Sequence, residues 1–202
     1  MGLTRSQAAV KRLFDFSMSL VGLIVLSPII VVAWAAAAVS TRSHGLFIQQ
    51  RVGKHGKLFA LIKLRSMRTF PGASTTTVTT RDDCRITPVG GWLRRLKLDE
   101  LPQLINVLFG QMSLVGPRPD VQGFADKLTD SDRIVLTVLP GITGPASLRF
   151  RNEEELLAAA DDPEAYNRNV IWPEKVRLNS DYVRKYCFRS DIGCILQTIL
   201  GR

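Results

Sequence analysis

The sequence is poor in the residues that build disulfide and metal frameworks. Its 202 residues include three cysteines and two histidines, and the cysteines form no C-x-x-C pair. An odd set of separated cysteines argues against a disulfide framework and for a reducing compartment. His44 and His55 stand apart from each other and from every cysteine, so no zinc-site pattern is present. The chain also lacks internal repeats and a glycine-rich phosphate loop of the Walker or Rossmann type.

Acidic residues are almost missing between residues 42 and 97. This segment holds twelve lysines and arginines against Asp82 and Asp83, a net charge of +10, whereas the whole chain carries +9. Such a block indicates an anionic partner, which could be nucleic acid, lipid headgroups or a phosphorylated substrate, and a solvated basic face is the plain alternative. Few aromatic residues are interleaved with the basic ones, and no nucleic-acid reading motif is recognisable, which weighs against nucleic acid.

Charge of either sign is absent from Phe16 to Thr41, a run of 26 residues that is long enough to cross a bilayer. It is too long for a convincing signal peptide, and a single-span anchor is the simplest interpretation. Two features favour a re-entrant helix instead. Ser27-Pro28 lies near the midpoint, where proline interrupts the helical hydrogen bonds, and both flanks are basic, which would keep both on the cytoplasmic side. We predict a helix that is broken at Ser27-Pro28 and enters and leaves by the same leaflet.

The chain is accordingly predicted to divide into a membrane helix at 1–41 and a cytoplasmic domain at 42–202, of α/β class and mostly helical. Two strands are predicted at 47–53 and 58–65, and period-2 alternation places Lys63 and Arg65 on one face of the second strand.

Four further segments lead to structural expectations. The serine- and threonine-rich stretch 72–80 predicts a mobile loop, and the acidic residues of 153–164 predict a solvated helix and loop. The apolar stripe at 192–200 predicts a helix packed in the core, with a helix on a membrane surface as the alternative. The glycine- and proline-rich stretch 140–145 suits close backbone approach to a ligand.

Two adjacent carboxylates, Asp99 and Glu100, lie where an amphipathic helix is predicted over 98–109. Pro102 is tolerated only in the first turn of a helix, so Asp99 is expected near the N-cap, where the helix dipole would keep it ionised. Taken alone, the pair could simply cap the helix. The basic stretch 94–97 just upstream could hold a phosphate beside the two acids.

A stiff turn, Gly116-Pro117-Arg118-Pro119, follows this region. The two prolines restrict the backbone on both sides of Arg118, so its side chain is presented in a nearly fixed direction. The alternative is a rigid structural turn that carries an exposed arginine.

Several stretches in one order together resemble the bacterial sugar transferases, specifically the small monotopic phosphoglycosyl transferases. The resemblance runs from about residue 10 to residue 200. The stretches are 11–28, 50–53, 63–67, 98–104, 112–119 and 140–144. The sequence departs from the family pattern at 145–152, just before the acidic segment.

The resemblance implies roles for individual residues. An Asp-Glu dyad that carries catalysis maps onto Asp99 and Glu100, and the family's helix break maps onto Ser27-Pro28. Phosphate-binding arginines map onto Arg94 and Arg118. The resemblance further suggests Mg²⁺ on Glu100, since Mg²⁺ favours a carboxylate together with phosphate oxygens. Electrostatic support from Lys63 and Arg65 would complete the phosphate site.

The activity implied is transfer of a sugar 1-phosphate from a nucleoside diphosphate sugar, UDP-linked, to polyprenol phosphate. UMP would be released and Asp99 would carry a covalent intermediate. This would be the first membrane step of bacterial surface glycan synthesis, at the inner membrane, with the catalytic domain in the cytoplasm and no nucleic-acid partner. A homodimer is left open. Two rival classes, a membrane-tethered nucleic-acid-binding module and a structural anchor, would leave the dyad without a purpose.

Overall fold

The elements of the chain are given by a computed structural model that describes residues 2–69, 79–80 and 83–201. The α-helices are α1 (Arg5–Thr41), α2 (Pro88–Arg95), α3 (Gln103–Leu108), α4 (Pro145–Arg149), α5 (Glu153–Ala158), α6 (Pro163–Tyr166), α7 (Trp172–Arg184) and α8 (Phe188–Leu200). Short 3-10 turns lie at Lys54–Gly56, Leu98–Glu100, Ala125–Lys127 and Asp130–Thr137, and a π-helical turn lies at Asn167–Ile171. The loop predicted at 72–80 lies, apart from its last two residues, outside the described residues.

The predicted hairpin is confirmed. Strand β1 (Leu46–Val52) pairs antiparallel with β2 (Leu58–Leu64), and Lys63 lies opposite Phe47 while Arg51 lies opposite Phe59. Because directly opposed residues share a face of the sheet, Arg51 and Lys63 point to the same side.

A second pair of strands, β3 (Ser113–Val115) and β4 (Gly141–Thr143), is parallel. Its glycines let backbones meet, since a Cβ on Gly141 would lie 2.1 Å from the Gly116 nitrogen and one on Gly144 would lie 2.3 Å from the Gly116 oxygen. In the structure these glycines approach the chain segment that leads to Arg118, and the predicted approach of 140–145 to a ligand stays a prediction.

Helix α1 has clear signals at both ends. It begins after Thr4, which forms a capping box with Gln7, and it ends at Arg42 in the left-handed conformation. Its 37 residues correspond to a length of about 55 Å. Helical structure continues through Pro28, so the structure does not show the predicted break.

The Ser27-Pro28 step nevertheless has a local compensation. Pro28 has no N–H to donate to the carbonyl oxygen of Ile24, four residues earlier. The Ser27 hydroxyl donates to that oxygen instead, at 2.9 Å. This pairing keeps a backbone acceptor satisfied inside an apolar helix, where leaving it bare would be costly.

The N-terminal part of α1 is fixed to the domain by polar contacts. Lys11 Nζ lies 2.5 Å from the carboxylate of Asp191 on α8, and both side chains are buried. Arg12 donates to the carbonyls of Val107 and Leu108 at the end of α3, at 2.6 and 2.8 Å. Asp15 accepts from the backbone N–H of Leu114 in β3 at 3.0 Å.

The C-terminal part of α1 packs on the same domain. Ala33 and Ala37 are buried against Leu64 of β2 and Leu93 of α2. Arg68 donates to the carbonyl oxygen of Ser40. Both ends of one long apolar helix therefore lie on one domain.

The C-terminal helix departs from its predicted packing. In α8, Cys194 is buried and Ile195 packs on the core, but Leu196, Ile199 and Leu200 are 52%, 75% and 65% exposed. The prediction of core packing is thus wrong for these apolar side chains of the last turns, where Thr198 contacts the domain instead, through a hydrogen bond of 2.7 Å with Thr143 of β4.

We predict that the buried pair between Lys11 and Asp191 holds α1 in place. Lys11→Met should lower the free energy of unfolding by about 3 kcal/mol, because breaking a buried ion pair strands the remaining charge. Thermal unfolding of the full chain in detergent measures this, with the exposed Lys185→Met as the matched control. Equal unfolding temperatures for the two variants would contradict the prediction.

Candidate active site

Asp99 and Glu100 lie in the 3-10 turn Leu98–Glu100, between α2 and α3, and only 5% and 9% of their surface is exposed. Lys97 enters the turn with a left-handed backbone, φ 57°. Leu98 packs with the small residues of α1 that face α2, so the dyad lies beside the apolar helix. Buried carboxylates in a short turn need compensating charge nearby.

The predicted helix N-cap at Asp99 is wrong. α3 begins later, and Pro102 occupies its N-cap position. Within the described part of the chain, no group donates a hydrogen bond to Asp99 Oδ1, although this atom is buried. Burial, and next the neighbouring Glu100, raise the pKa of Asp99 against the opposing charges of Lys63, Arg94 and Lys97. The expectation that a helix dipole favours its ionisation is therefore not met.

Glu100 behaves in the opposite way. Burial alone would raise its pKa, but the charges of Arg118 and Lys97 and a hydrogen bond from Arg118 outweigh burial and hold the pKa below its usual value. Arg118 Nη2 donates to Glu100 Oε1 at 2.5 Å. Two adjacent carboxylates whose pKa values are pushed apart are suited to different roles.

The proline-framed arginine is held from two sides. Strand β3, which leads into Gly116–Pro119, is paired with β4, and its Leu114 N–H donates a hydrogen bond to the carboxylate of Asp15 on α1. Arg51 Nη1 donates to the carbonyl of Pro119 at 3.3 Å. The structure thus brings Arg118 to the dyad from a rigid segment.

Lys63 reaches the dyad from β2, and its position depends on α3. Asn106 of α3 is buried, accepts from the N–H of Ile62 and donates to the carbonyl of Ala60, so α3 and β2 are fixed to each other. Burial lowers the pKa of Lys63 to about 8, and the carboxylate of Asp99 opposes this shift. The Lys63 ammonium also lies 5.3 Å from the centroid of the Phe47 ring.

Arg65 is placed differently from Lys63. Its guanidinium donates to the carbonyls of His44 and Leu46 at 3.0 and 3.3 Å, at the connection between α1 and β1. These contacts give Arg65 a structural use there, and its predicted contact with phosphate stays a prediction.

Arg94 lies on α2, which can approach the segment that follows β2 closely because Gly90 has no side chain. A Cβ at Gly90 would lie 1.9 Å from the Ser66 carbonyl oxygen. Arg94 Nη1 donates to Ser66 Oγ at 3.4 Å, and Nη2 is ion-paired with Glu154 of α5.

The sequence predicts a solvated helix and loop for the acidic segment 153–164, but part of this segment is ion-paired with the domain. Besides the pair between Glu154 and Arg94, Glu153 is paired with Lys175 of α7 at 2.7 Å. Two consecutive carboxylates of α5 thus lie against two cations of the domain.

Three charged residues near the dyad were missed by the sequence analysis. Burial, and next the charge of Arg118, lower the pKa of Arg51, whose Nε is buried and finds no hydrogen-bond partner in the described part of the chain. Burial raises the pKa of Asp120 to about 6, while Lys175, Arg51 and Arg118 oppose the shift. The pairing of the hairpin could have revealed Arg51, and Asp120 directly follows Pro119. No pattern in the sequence indicates that Lys175 lies near the dyad.

The dyad fits a hard divalent cation. Among the described residues no group of three or more histidine, cysteine or carboxylate side chains could hold a metal alone. Mg²⁺, however, needs only one or two carboxylates when substrate phosphates supply further oxygens. The adjacent carboxylates of Asp99 and Glu100, with the unpaired Oδ1 of Asp99, match that donor set.

The arrangement therefore combines an acceptor-rich dyad with surrounding cations. A buried carboxylate oxygen that accepts no hydrogen bond is a stronger nucleophile than a solvated one, and fixed cations can stabilise the negative charge of phosphates. Both features suit phosphoryl transfer beside a membrane helix.

Comparison of the sequence with known proteins identifies the family of this chain. The family model of the bacterial sugar transferases matches residues 6–201, and the chain belongs to this family. It is 37% identical over 155 residues to a putative undecaprenyl-phosphate N-acetylgalactosaminyl 1-phosphate transferase of Bacillus subtilis, covering 75% of this chain and 83% of that protein.

Two longer relatives match almost the whole chain. A UDP-glucose:undecaprenyl-phosphate glucose-1-phosphate transferase of Klebsiella pneumoniae is 42% identical over 94% of this chain. An undecaprenyl-phosphate galactose phosphotransferase of Salmonella typhimurium is 34% identical over 96% of it. The chain spans 39% and 40% of their respective lengths. The family and these names indicate a phosphoglycosyl transferase.

We predict that Lys63 titrates well below an ordinary lysine. After ¹³C-methylation of the lysines, NMR should show one resonance that titrates near 8 and is lost in Lys63→Arg. Asp99→Asn should lower this pKa further, because it removes an anion that stabilises the ammonium. The exposed Asp126→Asn should leave it unchanged. A Lys63 resonance that titrates at 10.5, the ordinary lysine value, would overturn this account of the site.

Proposed function

We propose that this chain transfers a sugar 1-phosphate from a UDP-sugar to polyprenol phosphate, as the first membrane step of surface glycan synthesis. The observation that carries the proposal is the buried Asp99–Glu100 dyad, surrounded by cations and packed beside an apolar helix. The relatives' names include different sugars but share undecaprenyl phosphate as acceptor. The sugar 1-phosphate is therefore the common chemistry.

In the first step, a carboxylate oxygen of Asp99 attacks the sugar-bearing β-phosphorus of the donor. A bond forms between this oxygen and phosphorus, the bond between the β-phosphorus and the bridging oxygen breaks, and UMP leaves with the electron pair. The raised pKa of Asp99 reflects burial and the adjacent Glu100. Its ionised form therefore depends on neighbouring cations and forms more readily as pH rises.

In the second step, a phosphate oxygen of the lipid attacks the phosphorus of the aspartyl phosphate. The bond to Asp99 breaks, the carboxylate is regenerated, and polyprenol diphosphate sugar is the product. The cations that act on the dyad, Lys63, Arg94, Lys97 and Arg118, form one cation cluster. This cluster can serve both steps, because donor and acceptor each present phosphate at the same position.

The cations have separable roles in this proposal. Arg118 and Arg94 are placed to bind phosphate oxygens, since a guanidinium can donate two parallel hydrogen bonds. Lys63 would stabilise the charge of Asp99, since Asp99 is the nearby charge that acts most strongly on the pKa of Lys63. When bound at Glu100, Mg²⁺ would supply further neutralisation of the diphosphate.

The membrane placement that we propose is re-entrant, with the domain on the cytoplasmic side of the inner membrane. The contacts at both ends of α1 support it, since a helix that spanned a bilayer of about 30 Å would carry one end away from the domain. Large apolar side chains remain exposed along α1, among them Leu13, Ile24 and Val32. Such a surface requires an apolar environment.

We predict that Asp99→Asn abolishes turnover and the covalent intermediate. Enzyme, Mg²⁺ and donor without lipid should release at most one equivalent of UMP and add one sugar phosphate to the protein, visible by intact-protein mass spectrometry. Asp99→Asn should show neither, because a neutral amide is no nucleophile, whereas the half-buried Asp181→Asn of α7 should behave as wild type. Glu100→Gln should lose about 10²-fold or more in rate, because an electrostatic stabiliser is removed.

Two outcomes would contradict this mechanism. Full activity in Asp99→Asn would rule out the nucleophile. Converging double-reciprocal plots with no adduct under any condition would favour direct transfer in a ternary complex.

We also predict that residue 6 and Cys187 lie on the same side of the membrane. Ser6→Cys in a Cys84→Ser background places one exposed thiol in the first turn of α1 and keeps one exposed thiol after the helix, at Cys187. A membrane-impermeant maleimide should label both in inverted vesicles and neither in intact cells. Labelling of position 6 alone in intact cells would show a simple span. Pro28→Ala should shift some molecules toward that span, since it restores a continuous ladder of hydrogen bonds.

A further inference from the structure

Helix α5 brings its first turn, which contains three consecutive glutamates, to the edge of the cation cluster. Glu154 is ion-paired with Arg94, one of the arginines assigned above to phosphate. The two partners lie 60 positions apart in the sequence, so this contact is a product of the fold and no local pattern predicts it.

We propose that Glu154 is an internal counter-ion that occupies Arg94 until the diphosphate of the donor displaces it, and that it thereby sets the affinity and selectivity for anions. This inference rests on the proposed function, in that Arg94 is taken to bind donor phosphate.

Arg94 is more deeply buried than Glu154, as expected if the carboxylate leaves and the guanidinium stays. The side chain of Arg94 is 16% exposed and is also held by Ser66, whereas that of Glu154 is 42% exposed. The guanidinium therefore stays in place when the carboxylate leaves, and the carboxylate can turn into water. Arg94 Nε is buried and has no hydrogen-bond partner among the residues that the structure describes, so the guanidinium keeps a donor that Glu154 does not use.

The neighbouring glutamate keeps α5 at this position. Glu153 is paired with Lys175 at 2.7 Å through both of its carboxylate oxygens, and its charge acts on Arg118 and Asp120. Glu154 can therefore leave Arg94 without α5 leaving the site, and it can return when the phosphate departs.

Displacement should discriminate among anions. A phosphate offers a guanidinium two oxygens in a fork and more charge than one carboxylate, so a diphosphate can compete with Glu154. Inorganic phosphate competes on the same atoms but lacks the further contacts of a nucleotide. The cost of displacing Glu154 is the same for both anions, and only the donor has further contacts that offset it, so small anions at low concentration leave Arg94 paired with Glu154.

The test uses the full chain in nanodiscs and compares wild type with Glu154→Gln. Calorimetric titration with UDP and Mg²⁺ should show about fivefold tighter binding by the variant, the range of a partly exposed ion pair. The steady-state KM for the donor should fall by a similar factor while kcat changes little. Inhibition by inorganic phosphate should occur at a concentration at least fivefold lower than for wild type.

Glu174→Gln is the matched control. It removes the same charge and also breaks an ion pair, with Arg177, but it lies on the exposed surface of α7. This variant should bind UDP and respond to phosphate as wild type does.

The outcomes separate this inference from the proposed function. Equal UDP affinity and equal phosphate inhibition in wild type and Glu154→Gln would overturn the counter-ion role and leave the transfer reaction untouched. Weaker UDP binding by Glu154→Gln would also overturn it, because Glu154 would then be a positioning residue. Absence of UDP binding by both proteins would overturn it together with the UDP-linked donor.

Discussion

The docking of an apolar helix onto a charged domain is the constraint on which the rest of the structure depends. Lys11 and Asp15 are charged side chains that are buried in this contact. Lys11 pairs with α8, Asp15 accepts a hydrogen bond from β3, and Arg12 donates to the end of α3. Buried charges must be paired, so this contact admits few alternative arrangements. Because β3 continues to Arg118 and α3 follows the dyad, the apolar helix α1 and the candidate site share one rigid frame.

Several cations of the basic segment 42–97 compensate the charges of the buried dyad. Burying Asp99 and Glu100 side by side is unfavourable unless cations surround them, and Lys63, Arg94 and Lys97 of that block act on them together with Arg118. Cations that converge on two buried acids from several elements are not a solvated basic face. The unequal environments then separate the two carboxylates, one with a raised pKa and the other paired with an arginine.

What the sequence could predict was local. The hairpin follows from alternation around a turn, and the rigid Arg118 segment follows from its two prolines. The exact turn around Asp99 could not be derived, because apolar periodicity continues upstream of α3 and conceals the left-handed Lys97. The glycines of 140–145 signalled a close approach but not its partner. Ion pairs such as those of Glu154 and Asp191 join positions 60 and 180 residues apart, where no periodicity carries information.

A common principle connects the two arginines of the site. Arg118 is paired with Glu100 and Arg94 with Glu154, so each guanidinium already has a carboxylate partner before any phosphate arrives. Unpaired cations held this close together would repel one another and destabilise the fold. Carboxylates that neutralise them, one buried in the dyad and one exposed on α5, keep the cluster stable while leaving it open to a stronger anion. In the proposed reaction the phosphates of donor and lipid occupy the site in turn, so a carboxylate that leaves and returns would let the site be refilled within every cycle.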